Sequence, residues 1–193
     1  MPRTKQYTES DVLQKAMELF WKQGYHATSM QDLVQHLGIN RSSIYESFDS
    51  KDGLFERAFA RYRQQNREGM KTFLASQPDI KVGLRVLFEQ SIDQMLADKN
   101  RKGCFVANIS AELAPSDPKI AEVVRMNQEE FVEIFRSYLQ RGVDSGQISA
   151  DKNLDSIARM LFTLNNGLSV VARGNMAREE LMASVEAALG VLE

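Results

Sequence analysis

The sequence predicts an all-α fold in two parts, a three-helix domain over residues 1–52 and a larger helical domain over residues 53–193. Three observations predict it. Apolar residues recur at three- and four-residue intervals along most of the chain, as in Val124, Phe131, Ile134, Phe135 and Tyr138. No segment alternates apolar and polar residues in the manner of a half-buried strand. Pro78, Pro115 and Pro118 fall at breaks between the helical patterns, where the ring's missing N–H does least harm. With 193 residues, 43% of them hydrophobic, the chain is long enough to bury a core.

The first helix begins after Thr8, which stands three residues before Asp11 in the spacing of a capping box. Val12, Leu13, Ala16, Met17, Leu19 and Phe20 give it a broad apolar face, Trp21 adds partial core, and Gly24 ends it. Tyr25 and Ala27 lead to Thr28, whose hydroxyl is placed to cap the second helix. Leu33, Val34 and Leu37 form that helix's apolar stripe. Gly38 then permits the left-handed backbone that closes it, and Ile39 plugs the corner. Asn40 can cap the third helix, with Ile44 and Phe48 inward and Arg41, Ser42, Ser43, Tyr45 and Ser47 outward. Ser50 caps a further helix, in whose first turn Lys51 sits. Two short helices, a tight turn and the start of another helix over Thr28 to Leu54 make a helix-turn-helix.

The outward face of the third helix is small, polar or basic, as a helix pressed into a major groove requires: short side chains allow close approach, and hydroxyls bond base edges or phosphates. Lys51 sits where a helix already carries partial positive charge, which a phosphate partner would explain; the alternative is a solvated lysine. The Thr28 hydroxyl can likewise cap or meet a phosphate. The run from Gly38 to Leu54, GINRSSIYESFDSKDGL, with Ala16, Leu19, Phe20, Gly24, Tyr25, Thr28 and Asp32 upstream, resembles the signature of the TetR family over about residues 8–60. The resemblance implies a DNA-reading surface built from Thr28, Ser29, Asn40, Arg41, Ser42, Ser43, Tyr45, Glu46, Ser47 and Lys51. Two positions depart from the family pattern: Glu46 is acidic, and Ser47 stands where an aromatic residue or histidine is common. Glu46 repels phosphates unless it accepts from a cytosine amino group or pairs with Arg41, so relatives' operators do not transfer.

Charge gives only local support. The formal net charge is −2, and residues 1–72 hold eleven basic against nine acidic residues, so any basic surface is assembled locally from Arg3, Lys5, Arg41 and Lys51. No apolar run approaches the length of a membrane span and the amino terminus lacks a signal peptide's apolar core, from which a cytoplasmic protein is expected. His26 and His36 read as surface groups, because no second ligand stands at metal-binding spacing. No Ser/His/Asp arrangement or phosphate-cradling glycine loop is visible. A regulator without enzymatic activity, cofactor or metal is therefore expected.

The remainder reads as a long helix from about Lys51 to Ser76, carrying Arg57, Arg61, Arg63 and Arg67 on its outer side, then helices near 79–97, 104–114, 119–142, 153–173 and 178–192. A two-fold reader presents equivalent helices about 34–36 Å apart, and one copy of the motif supplies only one, so a homodimer on a palindromic or pseudopalindromic operator is expected. Leu154, Ile157, Ala158, Leu161, Leu164, Leu168 and Val171 form one apolar stripe. Leu181, Met182, Val185, Leu189 and Leu192 form another. Together they are the expected four-helix dimer surface, unless both face the chain's own core.

The resemblance also implies repression relieved by a small, mostly apolar ligand that enters the helical remainder and tilts the long linking helix. Its lining would come from Phe73, Leu87, Phe88, Ile92, Met95, Phe105, Ile109, Phe131, Ile134, Phe135, Tyr138 and Phe162, with Asn108, Asn165, Asn166 and Gln128 as polar contacts. The same aromatic residues can simply fill a core. Cys104, near Lys99, Arg101 and Lys102, offers a redox- or electrophile-sensing alternative to a small buried hydrophobe. A ligand carrier whose reading head has decayed is the remaining alternative.

Overall fold

The computed structural model describes residues 8–193. Arg3 and Lys5, expected in the basic surface, lie outside the described residues. The helices are α1 Glu9–Gln23, α2 Met30–Leu37, α3 Arg41–Phe48, α4 Lys51–Ala75, α5 Ile80–Ala97, α6 Phe105–Glu112, α7 Pro118–Asp144, α8 Leu154–Val171 and α9 Arg178–Leu189, and no strand occurs among the described residues. Most helix starts are fixed by side chains. Thr8 and Asp11 form the reciprocal capping box, Asp79 and Asn153 cap α5 and α8, and Asp117 caps α7 with Pro118 in the first turn.

The chain divides into two compact units between Gln65 and Asn66, inside α4, rather than at residue 52. The physical reason lies in the first turns of α4. Leu54, Phe55, Ala58 and Phe59 are buried with Ala16, Phe20, Leu33, Ile44 and Phe48, so this half of the helix completes the core that α1, α2 and α3 begin. Phe55 meets Phe20 edge-on at 5.3 Å and stacks on Phe59 at 5.6 Å. Half-buried Trp21 packs edge-on against Tyr62 at 5.0 Å, the partial-core role its sequence position implies.

In the second unit α7 lies along α8 and α5 along α9 around Phe88, Ile92, Phe135, Leu139, Leu161, Leu181 and Val185. Each such side chain contributes roughly 1.5–3 kcal/mol on leaving water. Arg178 on α9 binds Asp93 (2.6 Å) and Glu89 (2.7 Å) of α5, and Arg85 binds Glu186 (2.6 Å), fixing the antiparallel register of these two helices at the surface.

The two stripes expected to form the dimer surface are corrected here. Ile157, Leu161, Leu168, Leu181, Met182, Val185 and Leu189 are all buried within the protomer, and Leu154 and Leu164 are partly buried against the same core. A side chain already removed from water by its own chain has no face left for a partner. Of the expected stripe only Val171 is exposed; with it the exposed sides of α8 and α9 carry Thr163, Gly167 and Val170 on α8, and Ala183, Ser184 and Ala187 on α9 with Val191 just beyond it. Among the described residues no helix is long and apolar enough to cross a membrane.

Candidate nucleic-acid interface

Caps set the geometry of α2 and α3. Ser29 is the N-cap of α2: its hydroxyl accepts the Asp32 N–H (3.1 Å), while its own N–H (2.8 Å) and hydroxyl (2.6 Å) donate to the Asp32 carboxylate. Those bonds, with a lesser contribution from the charge of Lys51, hold the Asp32 carboxyl below the usual aspartate value. Gly38, at φ +69°, takes the left-handed conformation that ends α2. The Asn40 side-chain oxygen then accepts both the Ser43 N–H and the Ser42 hydroxyl at 2.8 Å, starting α3.

Thr28 corrects the reading of its hydroxyl. It is fully buried and donates backward to the Gly24 carbonyl at 2.6 Å, closing the turn after α1, while its neighbour Ser29 does the capping. The Thr28 side chain is therefore turned away from any phosphate.

The rest of the expected surface converges on α3 and its ends. Ser29, Asn40, Arg41, Ser42, Tyr45 and Glu46 are exposed, Ser43, Ser47 and Lys51 are half-buried, and Ile44 and Phe48 anchor the opposite side. Arg41 donates to the Tyr45 hydroxyl at 3.2 Å and lies 5.6 Å from the centre of its ring, so its planar fork is laid along the helix rather than drawn to Glu46. Lys51 sits 4.2 Å above the ring of Tyr25, whose hydroxyl donates to the carboxylate of Asp52. The face of the ring attracts the ammonium and so orders the Lys51 side chain at the first turn of α4.

Sequence reasoning missed how firmly the end of α3 is held. Arg57, read only as an outer basic residue, donates to the Ser47 carbonyl (3.2 Å), lies 5.4 Å from the centre of the Phe48 ring and pairs with Glu9 (3.2 Å). Asp49 has φ +64° and ψ −40°, and the Ser50 N–H bonds the Phe48 carbonyl at 2.7 Å, a strained tight turn for a residue with a side chain. Gly53 faces that same carbonyl so closely that a Cβ would stand 2.1 Å from it. The turn residues after Phe48 carried no periodicity to reveal this. The assembled surface presents hydroxyls, an amide, a guanidinium and an ammonium, which can donate to phosphates and base edges. His26 and His36 are exposed, and no group of three or more His, Cys, Asp or Glu among the described residues could hold a metal ion.

The expected effector lining is distributed differently. Phe88, Ile92, Phe105 and Ile109 have 0% exposure, Phe131 and Phe135 are also buried, and Phe73, Met95 and Phe162 pack beside them as core. Asn108 is spent on the loop before α6: it donates to the Lys102 carbonyl (2.7 Å) and accepts from Arg173 (3.1 Å). Asn166 donates to the Phe162 carbonyl one turn back on its own helix at 2.9 Å. A cleft of about 510 Å³ instead opens between the last turns of α4 and the second half of α7, and of the expected lining residues only Ile134 and Tyr138 border it. It is too polar to have been found by searching for aromatic residues.

Comparison with known proteins gives a consistent set of similarities. A family model described as "Bacterial regulatory proteins, tetR family" matches residues 12–58, and one described as "Tetracyclin repressor-like, C-terminal domain" matches residues 82–188. The HTH-type transcriptional regulator YezE of Bacillus subtilis is 28% identical over the whole of both chains. The HTH-type transcriptional repressor ComR of Escherichia coli is 28% identical, with 93% of this chain and 86% of ComR covered. Among solved structures, the TetR family transcriptional regulator CifR, with three cysteines replaced and bound to 26-bp double-strand operator DNA, is 29% identical with a TM-score of 0.89, covering 99% of this chain and 100% of CifR.

Proposed function

Since the chain belongs to the TetR family of bacterial regulatory proteins, and is as such a DNA-binding transcriptional regulator, we propose that it is a homodimeric repressor released from a palindromic or pseudopalindromic operator by a small molecule. One observation carries the reading of its contacts. The α3 face is capped by Asn40, armed by the Arg41–Tyr45 pair and flanked by the ring-ordered ammonium of Lys51. Arg41, Ser42, Ser43, Tyr45, Glu46 and Ser47 enter the major groove, whereas Ser29, Asn40 and Lys51 meet the backbone. The second copy is met through the exposed sides of α8 and α9, and the protein acts in the cytoplasm, where its operator lies.

The test is fluorescence anisotropy with duplex DNA from upstream of the protein's own gene, over a range of salt. Affinity is expected to fall steeply with salt. Lys51→Ala weakens binding evenly on all sequences and reduces the salt slope by about one unit, whereas Arg41→Ala and Ser43→Ala change the preference among sequences. Indifference to double-stranded DNA at low ionic strength refutes the reading.

A second reading of the trigger rests on Cys104. It occupies the N-cap of α6 without a side-chain capping bond, and Gly103 before it, at φ +67°, is seated against the Arg173 side chain. Oxidation or alkylation there would load a helix start that has no side-chain cap from Cys104, and the similar CifR structure on operator DNA is of a cysteine mutant. Operator release by peroxide that Cys104→Ser abolishes supports this reading; release that survives the substitution removes it.

A further inference from the structure

The cleft between α4 and α7 has a charge pattern that neither core packing nor DNA contact uses. Its α4 wall is Arg67, Lys71, Leu74 and Ala75, and its α7 wall includes Ile134, Ser137, Tyr138 and Arg141. Two carboxylates also border it, and both are engaged. Glu130 is bound by Arg67 at 2.8 Å. Glu133 is held in a fork by Arg136 at 2.7 and 2.8 Å and accepts the Ser137 hydroxyl at 2.9 Å.

The cations at the other end are not neutralised in this way. Arg141 spends its donors on uncharged acceptors, the carbonyls of Leu74 (3.2 Å) and Gln77 (3.4 Å), and keeps its charge. Lys71 is exposed and forms no ion pair among the described residues. Between and beside them the wall is aliphatic: Leu74 and Ile134 are 2% and 9% exposed, and Ala75 adds a methyl group at the rim. The volume of about 510 Å³ falls in the range of sites that take a small organic ligand.

We infer that this cleft binds an amphipathic monoanion, a carboxylate carried on an aliphatic body, and that this compound is the effector. The carboxylate lies between Lys71 and Arg141, and the body covers Leu74, Ala75 and Ile134. The site is distinct from the buried aromatic core. It bears on DNA binding because α4 is one continuous helix from Lys51 to Ala75, so a ligand wedged at its last turns loads the same helix whose first residue we propose meets the DNA backbone. The effector role rests on the regulator reading above; the binding site does not.

The experiment uses the full-length protein with decanoate and decanol, which differ in charge but not in chain length. Calorimetry on the DNA-free protein reads the cleft alone. Decanoate is expected to bind at least about tenfold more tightly than decanol, and Lys71→Gln to cost decanoate about fivefold while leaving decanol unchanged, the size of an exposed ion pair. Ala75→Phe, at the rim where added bulk enters the cleft rather than the core, is expected to weaken both ligands. Equal binding of the two ligands, no binding of either, or binding insensitive to both substitutions overturns the assignment. Anisotropy then reads the effector role: decanoate lowers operator affinity in the wild type and less in Lys71→Gln. Operator affinity unmoved by saturating decanoate overturns that role. A wild-type protein that binds decanoate as described but no duplex DNA supports the site and refutes the regulator reading instead.

Discussion

Replacing Gly53 by alanine tests how tightly α4 holds the end of α3. In an open, exposed helix this change gains about 1 kcal/mol, because glycine loses more backbone entropy on folding. Here the added Cβ would stand 2.1 Å from the Phe48 carbonyl oxygen, and reaching even the 3.0 Å floor of real contacts needs a displacement of 0.9 Å. The obstacle is main chain and cannot rotate aside. Overpacking of this kind costs roughly 1–3 kcal/mol, and with an obstacle this close the clash outweighs the entropic gain, so a net loss of up to about 2 kcal/mol is expected. For a small unit this lowers the melting temperature by about 4–8 °C per kcal/mol. The displaced atom closes α3, the helix proposed to enter the major groove, so duplex affinity should drop at least about tenfold, equivalent to one good base contact. Gly69 is the control: it is exposed on the same helix, nothing lies within 4 Å of where an added methyl group would stand, and Gly69→Ala should raise stability by about 1 kcal/mol. Thermal unfolding followed by circular dichroism, with anisotropy on the same samples, measures both. A Gly53→Ala protein that melts no lower than the wild type and binds duplex equally well refutes the reasoning.

Three further outcomes follow from geometry already described. The bonds from Ser29 hold the Asp32 carboxyl below the usual aspartate value, so its contribution is complete above the unfolded value and is lost as pH falls through the lower folded one; Asp32→Asn should flatten that part of the acid melting profile, and parallel profiles would count against the capping box. Asp49→Gly should raise the denaturant midpoint, since relief of strain worth about 1–3 kcal/mol exceeds the glycine entropy cost, whereas a lowered midpoint would give the Asp49 side chain a stabilising role of its own. Val185→Asp, at a position with 0% exposure, should unfold the second unit, while Ala187→Glu on the exposed side of the same helix should leave circular dichroism unchanged and shift sedimentation toward monomer; a dimer that survives Ala187→Glu moves the subunit contact elsewhere.

Helix positions were legible wherever a cap or a breaker spells them out. Thr8 with Asp11, Asn40, Gly38 and Pro118 each fix a boundary to within a residue or two, because their chemistry is local. Thr28 and Ser29 were not separable in that way: adjacent hydroxyls are equally able to cap, and only burial beneath the preceding turn decides which one does. Periodicity on α8 and α9 announced apolar stripes but not what covers them. A stripe packed on its own chain and one packed on a partner have the same spacing. The cleft was invisible because its cations lie about seventy residues apart, at Lys71 and Arg141, and meet only through the lateral register of α4 and α7. Nor could the spacing of Leu54, Phe55, Ala58 and Phe59 show that half of a long helix belongs to the core before it.

Tyr138 and Arg141 grip the last turn of α4 and its connection to α5 through main-chain oxygens: the tyrosine hydroxyl donates to Asp79 (3.0 Å), and the guanidinium to Leu74 (3.2 Å) and Gln77 (3.4 Å). Such a clasp does not inspect the side chains of the segment it holds. Exposed residues along that stretch that cap no helix, such as Ala75, can be exchanged over evolutionary time without loosening the joint, provided the two gripping side chains persist. A lineage of regulators could thereby retune what it senses at the rim of α4 while inheriting the same mechanical attachment.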